Sequence, residues 1–259
     1  MTIPFPTTTQ AAEILEKVRQ ARPRVHCLMN TVVQKFTADG ITVVGGIPSM
    51  TTSLEEIESF VVKADALTIN LGTLDAERRK VILLAVEIAN ASGKPWIVDP
   101  VHCDYSPSRL AFARELITLS PAIVRGNRAE MSLIGEVPDA IRIETGPVDH
   151  LSDATRRVRI VNGHPWMAKV TGTGCLSGGV IAAFMAVEQD ALAAAASALA
   201  VTGVSAELAA SCARGPGTFE PAFLDALSAI TGEDIINHAR IENEQGGLPP
   251  QRACGCEPR

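Results

Sequence analysis

The chain has 259 residues, 46% of them apolar and 20% charged, with a formal net charge of −6. That length and apolar content suit one α/β domain, or two small ones, with a sizeable core. The mild acidity, with no Lys/Arg block anywhere, argues against a nucleic acid or a membrane surface as partner.

The first ten residues are polar and broken by proline, unlike a signal peptide. No run of eighteen apolar residues occurs, so no membrane span is expected, and the location expected is cytoplasmic. The alanine-rich run 191–200 reads as a buried helix. Six cysteines lie scattered at 27, 103, 175, 212, 254 and 256. They show no paired framework and read as reduced thiols. Cys254 and Cys256 sit in a Pro/Gly-rich polar stretch without enough further ligands for a metal. We read 1–241 as one domain and 242–259 as a disordered tail.

In chain order, apolar residues at helical spacing predict a helix over 8–21, ended by Pro23. A strand follows at 25–29, and Asn30-Thr31 caps a helix to about Val44. An extended piece at 48–51 leads to a helix over 54–64 capped by Ser53. The strand 66–71, helix 75–91, strand 95–98, helix 107–119, strand 122–124, short helix 128–134 and strand 140–144 continue the alternation. Such a rhythm means βαβ units, a mostly parallel sheet and helices on both faces. The pattern then changes to a hairpin at 148–151 and 157–161, and to helices only over 175–188, 190–212, 221–230 and 233–240.

In an open parallel sheet, ligands gather at the carboxyl ends of the strands. Those ends here present Asn30, Met50, Asn70 with Gly72 and Thr73, Asp99, Arg125 with Asn127 and Glu130, and Thr145. After the hairpin comes VTGTGC at 170–175, a glycine-rich turn opening a helix. Glycines at 172 and 174 let a ligand approach the backbone, and the free N–H groups of a helix start bind anions. A plain tight turn accounts for the same string. Cys175 falls in the first helical turn, where a thiol tends to a lowered pKa. One cation, acids, amides and an anion-binding helix end suit phosphoryl transfer. Asp99, Asn127 and Glu130 could supply oxygens to Mg2+ directly or through water, and Arg125 could grip phosphate. Each position also has a structural reading. Asp-Pro is a common turn, Asn127 and Glu130 could form only a capping box, and Met50 could be core. His164 reads as structural, and the other histidines lack the spacing of a metal set. There is no Walker A string. The Gly172-x-Gly174 pair is not a dinucleotide fingerprint, because it follows a hairpin and precedes only helices.

Taken together, the strings HCLMNTVV at 26–33, GIPSM at 46–50, ALTINLGTL at 66–74, VDPV at 98–101, VRGNRAE at 124–130, NGHP at 162–165, KVTGTGC at 169–175 and GPGTF at 215–219 resemble the hydroxyethylthiazole kinase family of the ribokinase-like superfamily. The resemblance covers about 10–235. It implies a three-layer α/β/α fold with a mostly parallel central sheet. It also implies phosphorylation of the hydroxyl of 4-methyl-5-(2-hydroxyethyl)thiazole by ATP and Mg2+ in thiamine salvage, and a homotrimer with sites between subunits. By position, Met50, Gly172, Asn30, Asn70, Gly72 and Thr73 would line the thiazole site. Arg125, Thr145 and Asn127 would serve ATP, while Glu130 and Asp99 would serve the metal. Gly174 and Cys175 would face the reacting group, Cys175 standing where relatives keep an aspartate base. An unperturbed thiol is a poor base at neutral pH, so positioning and anion stabilisation weigh more.

Two departures stand out. The family's Gly/Ala-rich loop after Asp-Pro is here VHCDY at 101–105, with bulky side chains near the phosphate path. The segment between Glu130 and Thr145 is about one αβ step short, barely enough for a parallel crossover. It should leave one face of the strand 140–144 without a covering helix. Two further readings are a ribokinase-like kinase for a hydroxymethylpyrimidine and a weakly active thiazole- or nucleotide-binding homologue.

Overall fold

The structure, a computed structural model, describes residues 4–137 and 139–244. Nine strands form one sheet in the order β2-β1-β3-β4-β5-β6-β7-β8-β9. The strands are β1 Arg24–Leu28, β2 Ile47–Ser49, β3 Ala66–Asn70, β4 Trp96–Asp99, β5 Ile123–Asn127, β6 Ile141–Thr145, β7 Asp149–Ser152, β8 Arg157–Ile160 and β9 Ile241–Asn243. From β2 to β6 all pairings are parallel; β6 to β9 pair antiparallel.

Alternation along the parallel strands feeds two cores. Val25, Cys27, Ala66, Ile97 and Ile123 join one hydrophobic cluster. Leu28, Leu67, Ile69, Trp96, Val98 and Val124 join the other. The first cluster packs under α1 Thr8–Ala21, α2 Gln34–Val44, α7 Thr173–Met185, α8 Ala191–Cys212, α9 Pro216–Ala229 and α10 Gly232–His238. The second packs under α3 Ile57–Lys63, α4 Ala76–Ala91, α5 Pro107–Ile117 and α6 Arg128–Ile134. Period-two side chains buried on both faces are what a parallel sheet between helix layers requires. The three-layer α/β/α expectation is met. By length and composition α8 could cross a membrane, yet it is a core helix, with 83% of its most apolar window buried.

The strand 140–144 does lose cover on one face. Ile141 and Ile143 enter the first core, while Arg142 and Glu144 stay half-exposed and pair with each other. α6, a single seven-residue helix, makes the whole crossover, and β5 and β6 still pair from Ile123↔Ile141 to Asn127↔Thr145.

Several boundaries differ from the sequence reading. The helix after Asn30 starts only at Gln34; Asn30 Oδ1 accepts the Val32 N–H at 3.1 Å in a turn ahead of it, while Asn30 Nδ2 reaches Asn70 on β3. The chain after Ser53 makes a turn before α3 begins at Ile57. β5 runs on through Asn127, so Arg125 lies on the strand itself. α9 begins at Pro216, with Pro221 inside it. Pro165–Lys169 forms a 3-10 turn that apolar periodicity did not reveal. β9 pairs with β8, carrying the folded domain past 241 to Asn243. The remaining tail, with Cys254 and Cys256, lies outside the described residues.

Candidate active site

The carboxyl ends of β1 and β3 set an amide pair against a thiol. Asn30 Nδ2 donates to Asn70 Oδ1 at 2.9 Å, and Asn70 Nδ2 donates to Cys175 Sγ at 3.2 Å. Asn70 Oδ1 also accepts the Gly72 N–H at 3.1 Å. Asn30 and Asn70 are buried, so these bonds are not traded against water. Gly72 admits this packing because a Cβ there would stand 2.7 Å from Asn30 Cβ. Thr73 has φ 46°, unusual for a β-branched residue, and its Oγ1 accepts the Thr31 N–H at 3.3 Å.

The ends of β4 and β5 supply charge. Arg125 Nη1 donates to Asp99 Oδ2 at 2.8 Å, both side chains being buried. The Val101 N–H donates to Asp99 Oδ1 at 3.2 Å. Burial pushes the Asp99 carboxyl up, against the pull of Arg125. A Cβ on Gly174 would sit 3.1 Å from Arg125 Nη2, so the guanidinium lies against the start of α7. Gly172 is the N-cap of that helix at φ 97°, and a Cβ there would meet Val33 Cγ1 at 2.8 Å. The turn therefore requires glycine on two grounds, backbone and space. Thr173, Gly174 and Cys175 are the first three helical residues, whose N–H groups precede any intrahelical acceptor. With Arg125 beside them they form an anion cradle.

The Cys175 thiol is not the low-pKa thiol expected of a first-turn cysteine. Burial and the neighbouring Asp99 push it up to about 11, and Arg125 and the Asn70 amide recover only part of that. Burial of the thiol first, and the Asp99 carboxylate second, outweigh the helix start here.

Asn127 and Glu130 do form the capping box. The Glu130 N–H donates to Asn127 Oδ1 at 3.0 Å, and the Asn127 N–H to Glu130 Oε2 at 2.7 Å. Glu130 Oε1 accepts the His102 N–H at 2.7 Å. The 101–105 loop thus spends a backbone donor on Glu130, while the His102 and Tyr105 rings stack edge-on, Tyr105 being 81% exposed. His102, Asp104 and Glu130 bring one donor atom each within 4.8 Å of one another. The sequence reading left His102 out of any metal set, because this proximity depends on strand order and not on spacing.

A cavity of about 550 Å3 opens beyond the Arg125 side of the cradle, between β5, β6, the 3-10 turn, α7 and α8. Arg125, Thr145, Asp149, His164, Met167 and Gly174 are among the residues lining it. Thr145 Oγ1 donates to Gly126 O at 3.3 Å. Asp149, absent from the sequence reading, accepts the Gly146 N–H at 3.0 Å, and burial pushes its carboxyl up. Only its position after a turn could have marked it. Asn30, Met50, Asn70, Gly72 and Thr73 do not line this cavity, and neither do Asp99, Asn127, Glu130 and Cys175; Asn30 and Asn70 reach Cys175 from the ends of β1 and β3. Met50 follows β2, half-buried against the first core. Beside it His26 Nδ1 meets Ser49 Oγ at 2.9 Å.

The chain is similar to known proteins over most of its length. The hydroxyethylthiazole kinase family profile matches residues 15–142 and 136–233, dividing at the short α6–β6 crossover. A probable hydroxyethylthiazole kinase of Agrobacterium fabrum is 87% identical over 242 residues, 93% of this chain and 98% of its own length. A hydroxyethylthiazole kinase of Clavibacter sepedonicus is 36% identical over 260 aligned positions, covering 90% of this chain and 94% of its own. An alignment that long opens gaps in this chain, so that relative carries extra residues; the A. fabrum alignment runs essentially without them. The solved hydroxyethylthiazole kinase of Pyrococcus horikoshii superposes with a TM-score of 0.88 at 33% identity, over 91% of this chain and 99% of its own. A ribokinase-like protein of Enterococcus faecalis shares the fold at a TM-score of 0.64 and 13% identity, over 90% of this chain and 99% of its own. The chain belongs to the hydroxyethylthiazole kinase family.

Proposed function

We propose that the protein transfers the γ-phosphoryl group of ATP to the hydroxyl of 4-methyl-5-(2-hydroxyethyl)thiazole, salvaging the thiazole half of thiamine in the cytoplasm. The observation that carries this reading is the cradle of Arg125 and the α7 start, set between a nucleotide-sized cavity and the Asn30–Asn70–Cys175 cluster.

In this reading ATP lies in the cavity against Thr145, its phosphates reaching Arg125 and the N–H groups of Thr173, Gly174 and Cys175, with Asn127 at the end of β5 outside the cavity lining. The acceptor lies beyond Cys175, against Met50, Gly172 and the Asn70–Gly72–Thr73 turn. Phosphoryl transfer passes through a loose transition state, so charge neutralisation and alignment dominate. A thiol pushed up to about 11 is mostly protonated at neutral pH, which favours positioning over general-base catalysis. Cys175 instead fills the space beside the hydroxyl, with its S–H oriented by Asn70. Asp99 and Glu130 have each carboxylate oxygen already engaged by one donor. They fit Mg2+ held through its waters, the usual manner of that ion. When bound, the ion screens the charge of the β- and γ-phosphates. A homotrimer is the assembly we propose, supported by exposed apolar side chains at Ile47 on β2, Leu54 ahead of α3, and Phe60 and Val62 on α3.

One assay tests the reading: ATP consumption with hydroxyethylthiazole, against hydroxymethylpyrimidine and no-acceptor controls. Phosphorylated thiazole is the expected product, and its absence at saturating ATP overturns the reading. The short crossover and the His102 loop favour slow turnover as the second reading; a tight thiazole complex without product would select it.

A further inference from the structure

Arg78 lies on the first turn of α4, outside every motif quoted above, yet it is buried at 8% exposure. All of its hydrogen-bonded guanidinium groups point at the ends of β1 and β3. Nη2 donates to Leu28 O at 3.3 Å and to Asn70 O at 3.0 Å. Nη1 donates to Thr73 O at 3.2 Å, to Thr73 Oγ1 at 3.0 Å and to Gly72 O. Nε has no partner among the described residues. The backbone N–H of Arg78 is held separately, by Asp75 Oδ1 at 2.8 Å.

This is an odd arrangement for an arginine that only stabilises its helix. None of the five acceptors belongs to α4 or to another helix. Three of the acceptor residues, Asn70, Gly72 and Thr73, are those assigned above to the thiazole site. Leu28 precedes Asn30 by two residues. Thr73 holds a left-handed backbone that a threonine adopts at a cost, and Arg78 grips it by both carbonyl and hydroxyl. The same hydroxyl accepts the Thr31 N–H, so the clamp spans both loops. The planar fork of a guanidinium suits such a set of fixed acceptors; an ammonium does not.

We infer that Arg78 is the positioning residue of the acceptor site, fixing the Asn30–Asn70 amide pair that orients Cys175 and the thiazole alcohol. The inference deepens the proposed function and rests on it for the identity of the acceptor, but not for the link to Cys175. Charge alone cannot supply the role, because the bonds are directional.

The experiment uses the full-length protein with Arg78→Lys and Arg78→Met. Two readouts are taken on folded samples: KM for hydroxyethylthiazole against KM for ATP, and the rate of Cys175 alkylation across pH, resolved by peptide mapping. Buried Cys27 and Cys103 serve as internal controls. The expected result for Arg78→Met is a thiazole KM raised about tenfold or more, an ATP KM within about twofold, and Cys175 alkylation faster by about threefold or more. Arg78→Lys, which keeps the charge but not the fork, should show the same changes at smaller size. It also serves as the deciding variant if Arg78→Met does not fold. A lowered melting temperature with thiazole KM and Cys175 alkylation unchanged overturns the inference and leaves Arg78 a fold residue. If the wild type does not phosphorylate thiazole, the proposed function falls, and the alkylation readout still decides whether Arg78 acts on Cys175.

Discussion

The two sides of the α7 start are built on different principles. On the β1–β3 side, polar groups are bonded to one another: Asn30 to Asn70, Asn70 to Cys175, and Thr73 to both Thr31 and Arg78. On the β4–β6 side, the charged Arg125 and Asp149 line an open cavity, and Arg142 and Glu144 lie a quarter exposed on one face of β6. A small, nearly neutral acceptor can be held by a preformed hydrogen-bonding surface. A polyanion needs charge that stays available, hence groups that are buried but not fully consumed. In the proposed reading, the contrast means that the acceptor side is set by shape and the nucleotide side by electrostatics.

The largest test of that contrast is Arg125→Met. It should lower kcat/KM about a thousandfold and destabilise the protein by about 3–5 kcal/mol, since Asp99 would remain buried without its cation. Steady-state kinetics and urea unfolding measure the two effects. Full activity in that variant would mean the nucleotide is held by shape after all.

Next comes pH, acting through the acceptor side. Burial lowers the His26 pKa from 6.5 to about 4, against a smaller upward pull from Thr51, so the folded protein keeps this ring neutral where the unfolded chain protonates it. The unfolded state then binds more protons between those values, and stability falls as pH drops from 6.5 toward 4, by up to about 3 kcal/mol. Unfolding titrations at several pH values should show that slope in the wild type and lose it in His26→Gln.

Gly172→Ala stands between the two sides. A left-handed backbone and a methyl 2.8 Å from Val33 should together cost about 2 kcal/mol. Because the strain displaces the α7 start, KM for both substrates should rise; a rise confined to one would assign the turn to that side. The smallest effect is expected from Arg142→Ala. Its partner Glu144 is a quarter exposed, on the uncovered face of β6, and the change should stay within about 0.5 kcal/mol. A larger loss would show that this ion pair does more for β6 than a surface pair does.

Most of the parallel half was legible in the sequence. Strands such as ALTIN and WIVD are continuous apolar runs ended by a polar residue, and the ends announced Asn70 and Asp99. The glycine turn was legible too, because φ 97° and a crowded Cβ admit only glycine. What stayed hidden depended on distance in space. Arg78 looks like any surface arginine of an amphipathic helix, and nothing local says that its side chain turns inward toward β1 and β3. Asp149 and His102 acquire neighbours only through strand order. The Cys175 pKa was misjudged because a helix start is read locally, whereas the burial of the thiol and the Asp99 carboxylate from β4 that oppose it depend on the fold.

The two margins of the sheet carry a last consequence. β2 is three residues long with Pro48 at its centre, and β9 is three residues long with exposed Glu242 and Asn243. A proline withholds a backbone donor, and short charged borders discourage a further strand from zipping on. Copies of this chain are therefore steered away from open-ended growth by backbone pairing. Assembly is then left to side-chain contacts, and the protein should remain dispersed at concentrations where a long bare edge would seed fibres.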